Sequence, residues 1–283
     1  MTWFFLFVFG AAIGSFLNVV DLRYDGDHFV FDAKVLGGRS HCPHCKKTLH
    51  WYELIPVVSF VIQGGRCRGC KRRISFQYPV VEAISGLVFL FVPFRMAAVH
   101  GGAVNLPLAV LWIAAFETLL LISLIDLKLG IIPDELNAAV GVIGIFIGIM
   151  LAGNLGLENA SLIGPYALIF GGQMNIWLAR IAGALAGGAF FSALVFVTRG
   201  KGMGMGDVKL ALAMGLLFGW PDIALAVAAA FMLGAIAGIA LMAFRKKTMQ
   251  SSLPFGPFLA MGAAVIFFFG IELVSGYFRL MGL

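Results

Sequence analysis

The chain has 283 residues, of which 61% are hydrophobic and 12% charged, with a mean hydropathy of +0.98 and a formal net charge of +6. Soluble domains carry about a quarter charged residues, so this composition excludes one and points to an all-α polytopic membrane protein. The positive balance is not a nucleic-acid footprint, because half of the 20 Lys and Arg lie within 21–80 and read as one loop.

Residues 1–20, MTWFFLFVFGAAIGSFLNVV, lack the basic start of a signal peptide. They read as an uncleaved first span with its N-terminus outside. Further apolar stretches follow near 82–99, 107–125, 136–153, 179–198, 206–220, 222–244 and 256–278, and ~20 residues are needed to cross a bilayer. The expectation is about eight transmembrane helices. The stretch 206–220 is short and reads as tilted, re-entrant or shielded by protein. Of the 20 Lys and Arg, 17 fall in 21–80 or at Lys128, Arg199, Lys201, Lys209, Arg245, Lys246 and Lys247, all on one side. The positive-inside rule makes that side cytoplasmic and leaves both termini outside. The longest outer connection, 154–178, has Glu158 as its one charge and carries no chemistry.

The cysteines of the first inner loop read CPHC (Cys42, Cys45) and CRGC (Cys67, Cys70), with 21 residues between the pairs. Two CxxC knuckles at that spacing can close one tetrahedral thiolate site for structural zinc. Disulfides or free thiols are the alternative, and a reducing cytoplasmic loop argues against disulfides. Lys46, Lys47, Arg66, Arg68 and Lys71 would offset the thiolate charge, and His41, His44 and His50 read as bystanders. The loop is too small to bury a large core, which is where a metal clip contributes most.

Three aspartates mark the inner ends of spans. Asp126, in SLIDLKLGIIPDELN, follows a long apolar run near a helix C-terminus, where the helix dipole disfavours a carboxylate. Asp134 follows Pro133 and opens the next helix, so capping or support of the site competes with catalysis. Asp207 ends the glycine-rich break GKGMGMGD; cap and catalyst are both open for it. The alternating glycines lack helical preference and let another chain approach closely. Glu117, inside the third span, reads as a hydrogen-bonding group of the bundle or as one that shapes the site. If Asp126 and Asp207 meet, they form a carboxylate pair of the kind that shares a proton.

The motifs GSFLNVV (14–20), the paired CxxC, WYELIPVVSF (51–60), ISFQYPVVE (74–82), the Asp126 segment and GMGD (204–207) together resemble the bacterial type IV prepilin peptidases, membrane aspartic proteases of the GxGD class. The resemblance covers nearly the whole chain. It implies that Asp126 and Asp207 are the catalytic pair and that the four cysteines hold zinc. It also implies an S-adenosylmethionine-dependent N-methyltransferase, with Asn18, Arg23, Glu53, Pro56 and Glu82 in the segments associated with the methyl donor. Asp21 and Gln77 depart from the family's pattern, which has an apolar residue and an arginine there.

The implied organisation is a first span (1–20), a small zinc-bound cytoplasmic domain with the methyltransferase part (21–81), and a transmembrane aspartic peptidase domain (82–283). The implied function is removal of the basic leader of type IV prepilins or pseudopilins after a glycine, at the cytoplasmic face of the bacterial inner membrane. Methylation of the new terminus follows. The partners are these substrates and the lipid bilayer, with no nucleic acid. Alternatives are a GxGD peptidase without methyltransferase activity, or a zinc-containing membrane scaffold or transporter. A transporter should bury ionisable groups deep in its spans, and here Glu117 is the one exception expected.

Overall fold

The computed structural model describes residues 2–99, 104–154, 161–171, 174–200, 202–243 and 253–282. Its helices are α1 (Thr2–Arg23), α2 (Ala33–Leu36), α3 (Val58–Ile62), α4 (Gln77–Val99), α5 (Leu106–Leu129), α6 (Asp134–Asn154), α7 (Ala167–Gly171), α8 (Ile176–Thr198), α9 (Met205–Phe218), α10 (Asp222–Ala243) and α11 (Gly256–Leu280). Pairing of strand type among the described residues is confined to two isolated bridges, His41 with Thr48 and Arg66 with Arg73. Among the described residues, seven helices, α1, α4, α5, α6, α8, α10 and α11, are long and apolar enough to cross a membrane, so the chain is a multi-pass membrane protein. Of the cations used to orient it, Lys201, Arg245, Lys246 and Lys247 lie outside the described residues. So do Glu158 and much of the outer connection.

The chain divides into two compact units, Met1–Ala109 and Val110–Leu283. In the first, α1 packs antiparallel on α4. Gly14 allows the close approach: a Cβ there would lie 2.8 Å from Ser85 Cβ. Two hydrogen bonds cross this contact, Ser85 Oγ donating to Gly10 O at 2.6 Å and Asn18 Nδ2 to Tyr78 O at 3.3 Å. The segment between these helices carries α2, α3 and both cysteine knuckles.

In the second unit, the short stretch anticipated at 206–220 is α9, with 14 residues. At 1.5 Å per residue it is ~21 Å long, against a hydrocarbon thickness of ~30 Å. It is not among the helices of membrane length, and Met205 and Gly206 of the glycine-rich break already belong to it. Neighbouring protein shields it. It lies antiparallel to α8, where a Cβ on Gly183 would fall 2.6 Å from Gly219 C. It runs parallel to α6, where a Cβ on Gly144 would fall 2.8 Å from Leu216 C. Small residues let the backbones pack this closely, and Val208, Leu210, Ala211, Ala213, Met214, Leu217 and Phe218 of α9 are buried.

The C-terminus of α9 ends inside protein, so its last carbonyls need partners. Arg180 of α8 supplies them. Its Nη1 donates to Leu217 O and Gly144 O, each at 2.9 Å, and to Leu216 O. Arg180 interacts electrostatically with Asp222, whose carboxylate takes Ser161 Oγ at 2.7 Å and Leu162 N at 2.8 Å. Both residues are buried. The expectation that ionisable groups gather at one end of the bundle apart from Glu117 therefore fails, since Arg180 and Asp222 hold the end of α9 opposite Asp207. Removing Arg180 would take this donor from the buried carbonyls of Gly144, Leu216 and Leu217, and leaving a buried polar group unsatisfied costs about 1–3 kcal/mol. Arg180→Met is expected to destabilise the protein by about that amount, read as a lowered denaturation midpoint in mixed micelles; an unchanged midpoint would remove this role.

Candidate functional site

Asp126 and Asp207 lie within electrostatic range of each other in the second unit. Asp126 sits one turn from the end of α5, whose last turn closes by Gly130 N donating to Asp126 O at 2.8 Å. Asp207 is the third residue of α9. The connection from α5 to α6 passes the start of α9, where Ile132 fills the space a Cβ on Gly206 would need, at 3.1 Å. Both carboxylates are buried, at 5% and 8% exposure, and they repel each other electrostatically.

Each carboxylate spends one oxygen on a backbone amide. Asp126 Oδ2 accepts from Gly256 N at 2.8 Å, at the start of α11, and Asp207 Oδ2 accepts from Gly204 N at 3.0 Å. Asp207 thus makes a capping bond and still lies within electrostatic range of Asp126. Only glycine fits at 256, since a Cβ there would lie 2.7 Å from Asp126 Oδ2. Asp134 opens α6 beside them. Its exposed carboxylate takes Lys209 Nζ at 2.7 and 2.8 Å, tying the first turn of α6 to that of α9. Glu117 is buried within α5. Sequence reasoning missed Asn137, which lies one turn into α6, buried, with both side-chain polar atoms unpartnered among the described residues. A lone Asn in an apolar run was the available signal.

In the first unit the four cysteine Sγ atoms lie within 4.8 Å of one another, and Cys42 and Cys70 are 3.9 Å apart. Tetrahedral Zn–S bonds of ~2.3 Å imply S···S edges of about 3.8 Å, so the cluster fits a metal of that size, and no disulfide is formed. The two knuckles repeat one backbone pattern. Lys46 N donates to Cys42 O and Lys71 N to Cys67 O, while Cys42 N and Cys67 N return to Lys47 O and Arg72 O. Lys46 and Lys71 both take a left-handed φ, 58° and 57°. Amides of Cys70 and then Gly69 pull the Cys67 thiol down to about 7 against the opposing effect of burial, which favours the thiolate a metal needs. The histidines stand aside: His44 meets Arg72 and His50 stacks on Tyr52.

A cavity of about 610 Å³ lies against the knuckles, lined among others by Cys42, Cys67, Arg23, Glu53, Tyr78 and Glu82. Of the five residues associated with the methyl donor, Arg23, Glu53 and Glu82 line it; Asn18 and Pro56 do not. The Arg23 guanidinium is spent on backbone carbonyls of residues 35–39. Glu53 takes His50 N at 3.0 Å and Lys47 Nζ at 3.3 Å. The His50 amide first, and then Lys47, hold its carboxyl below the usual range. The stabilisation from this lowered carboxyl is present at neutral pH and is lost as pH falls through its folded-state pKa. Glu82 Oε2 accepts from Val57 N at 2.7 Å. Val57 has a φ of 59°, strained for a β-branched residue, so Glu82 pins the turn beside Pro56. The two departures from the resembled pattern touch each other: Gln77 Nε2 donates to Asp21 Oδ2 at 3.1 Å.

Residues 8–96 match the bacterial peptidase A24 N-terminal domain, and residues 113–239 match the type IV leader peptidase family. The chain is 30% identical over 275 residues to a protein of Bacillus subtilis named prepilin leader peptidase/N-methyltransferase, covering 97% of each. It is also 30% identical to proteins of the same name from Aeromonas hydrophila (96% of this chain, 92% of the relative) and Pseudomonas putida (97% and 93%). No solved structure matches.

Proposed function

The chain belongs to the type IV leader peptidase family, and on that premise we propose that it cuts prepilin leaders with Asp126 and Asp207 and then N-methylates the new terminus. The observation that supports the reading is that two buried carboxylates, one from α5 and one from α9, lie within electrostatic range of each other. Two close carboxylates do not both ionise cheaply, so the pair holds one proton. The ionised member takes a proton from water, whose oxygen attacks the scissile carbonyl carbon. The protonated member donates to the carbonyl oxygen as negative charge develops there. Collapse of the tetrahedral intermediate breaks the C–N bond, and a proton passes from the pair to the departing amine. The amides of Gly204 and Gly256 hold the carboxylates in place meanwhile. The substrate's glycine suits a crowded site because it brings no side chain.

The second reaction belongs to the cavity of the first unit. Its volume is in the range that takes a cofactor-sized ligand, and Glu53 and Glu82 put carboxylates on its wall. Arg23, Lys46, Arg72 and Arg73 share the lining, and the two carboxylates are the groups in it that suit a sulfonium donor and a terminal amine. S-adenosylmethionine, when bound, supplies the electrophilic methyl group. The cluster of basic residues within 21–80 supports a cytoplasmic first loop in an inner-membrane protein. The direct test is purified protein mixed with a full-length prepilin. Loss of the leader on a gel, with the new N-terminus one residue after a glycine, supports the reading, and intact prepilin after prolonged incubation would refute it.

The metal is zinc in this proposal, one per chain, on Cys42, Cys45, Cys67 and Cys70. Replacing both cysteines of either knuckle with serine should release the metal and loosen residues 40–74, because metal binding and local folding are coupled. Elemental analysis together with limited proteolysis checks this; full zinc occupancy in such a variant would mean other ligands.

A further inference from the structure

The helix α3 faces the wrong way for a helix packed on its own protein. It turns Ser59 and Phe60 toward the cavity. Val58, Val61 and Ile62, spaced i, i+3 and i+4 and so on one face, are 49%, 69% and 69% exposed. None of its residues is buried. Nearby, Trp51 and Phe76 are also exposed. Burying large apolar side chains is strongly favourable, so this group calls for a partner.

Continuity with a membrane span indicates which partner. The Phe60 ring packs edge-on against Phe76, with centroids 5.8 Å apart. Phe76 immediately precedes α4, a helix of membrane length. The rings therefore tether α3 to the point where the chain enters the bilayer. Arg66, Arg68, Lys71, Arg72 and Arg73, between α3 and α4, are all exposed. An apolar face with an interfacial Trp and flanking cations is the pattern of a segment lying in the headgroup–acyl boundary of an anionic membrane.

We propose that Trp51, Val58, Val61, Ile62 and Phe76 form a membrane-docking surface, seated in the bilayer boundary with the cations of 66–73 over lipid phosphates. Docking fixes the cavity side of α3 at the level where a membrane-held substrate's terminus leaves the bilayer. The docking itself needs only that α4 spans the membrane; the use made of it rests on the proposed function.

The test uses the full chain in nanodiscs of phosphatidylethanolamine and phosphatidylglycerol, containing a phospholipid with a diazirine on its acyl chain. After irradiation, adducts are mapped by mass spectrometry. Adducts are expected on residues 51–62. They should be lost in Val61→Asp/Ile62→Asp, with labelling of α1 and α4 and the metal content unchanged. Absence of adducts on 51–62 in the unaltered protein, while α1 and α4 are labelled, would overturn the proposal. So would a photo-crosslinker at position 61 that captures co-reconstituted prepilin and no lipid, which would make this face a substrate groove.

Discussion

Asp126→Asn and Asp207→Asn should each abolish leader removal while the protein still inserts and folds. Asn keeps the shape of the side chain and its ability to accept from Gly256 N or Gly204 N, but it cannot take or give the proton. Removing a general acid or base typically lowers a rate by ~10²–10⁴-fold, and here each member is needed for a different proton. Gly256→Ala should also reduce cleavage sharply, because its Cβ would press on the Asp126 carboxylate at 2.7 Å. Asp134→Asn is the contrasting case. Asp134 is exposed and its partner Lys209 half-exposed, and surface pairs contribute about 0–1 kcal/mol. That variant should keep most of its cleavage. Initial rates on a purified prepilin, with membrane abundance and thermal midpoint as controls, separate these outcomes. Normal cleavage by Asp126→Asn or Asp207→Asn would end the dyad assignment.

The second large effect concerns methylation. The carboxylates of the dyad belong to one compact unit, and Glu53 and Glu82 line a cavity in the other. Cleavage must come first, because it creates the amine that is methylated. Glu53→Gln keeps an oxygen that accepts from His50 N but removes the charge that Lys47 pairs with. It should lose methyl transfer and keep much of its cleavage. Asp207→Asn should cut nothing and still methylate a peptide supplied already cut. Labelled methyl transfer to full-length and pre-cut substrates, run side by side, reads both. Failure of a well-folded Asp207→Asn to methylate the pre-cut peptide would mean that the two sites are not independent.

Much of this was legible because membranes simplify sequences. The seven long helices follow from apolar runs with few charges, and the paired CxxC knuckles announce a four-thiol cluster by spacing alone. Asp126 was conspicuous because a carboxylate at a helix C-terminus serves no cap. What escaped were contacts made between distant residues. That α9 is only 14 residues long could be suspected from its short apolar run, but its shielding depends on glycines of α6 and α8 meeting its backbone. Arg180, in the apolar run IWLARIAGALAGG, did carry a signal, since a charge inside a span asks for a partner; its partners are carbonyls more than 30 residues away. Asp222 follows Pro221 in the first turn of α10, where a carboxylate is common and draws no notice. Asp21 and Gln77 stood out singly, and their hydrogen bond links positions 56 residues apart. The carbonyls that Arg23 binds were equally hidden, so its association with the methyl donor rested on the motif alone.

One chain first cuts the prepilin and then methylates it. Intact-mass analysis of a prepilin co-expressed with the unaltered protein tests it most directly, in a host lacking its own enzyme of this kind. The expected result is a single product lacking its leader and carrying one added methyl group, with uncut prepilin for Asp207→Asn. A leaderless product that never carries the methyl increment, or a methylated prepilin that keeps its leader, would contradict it.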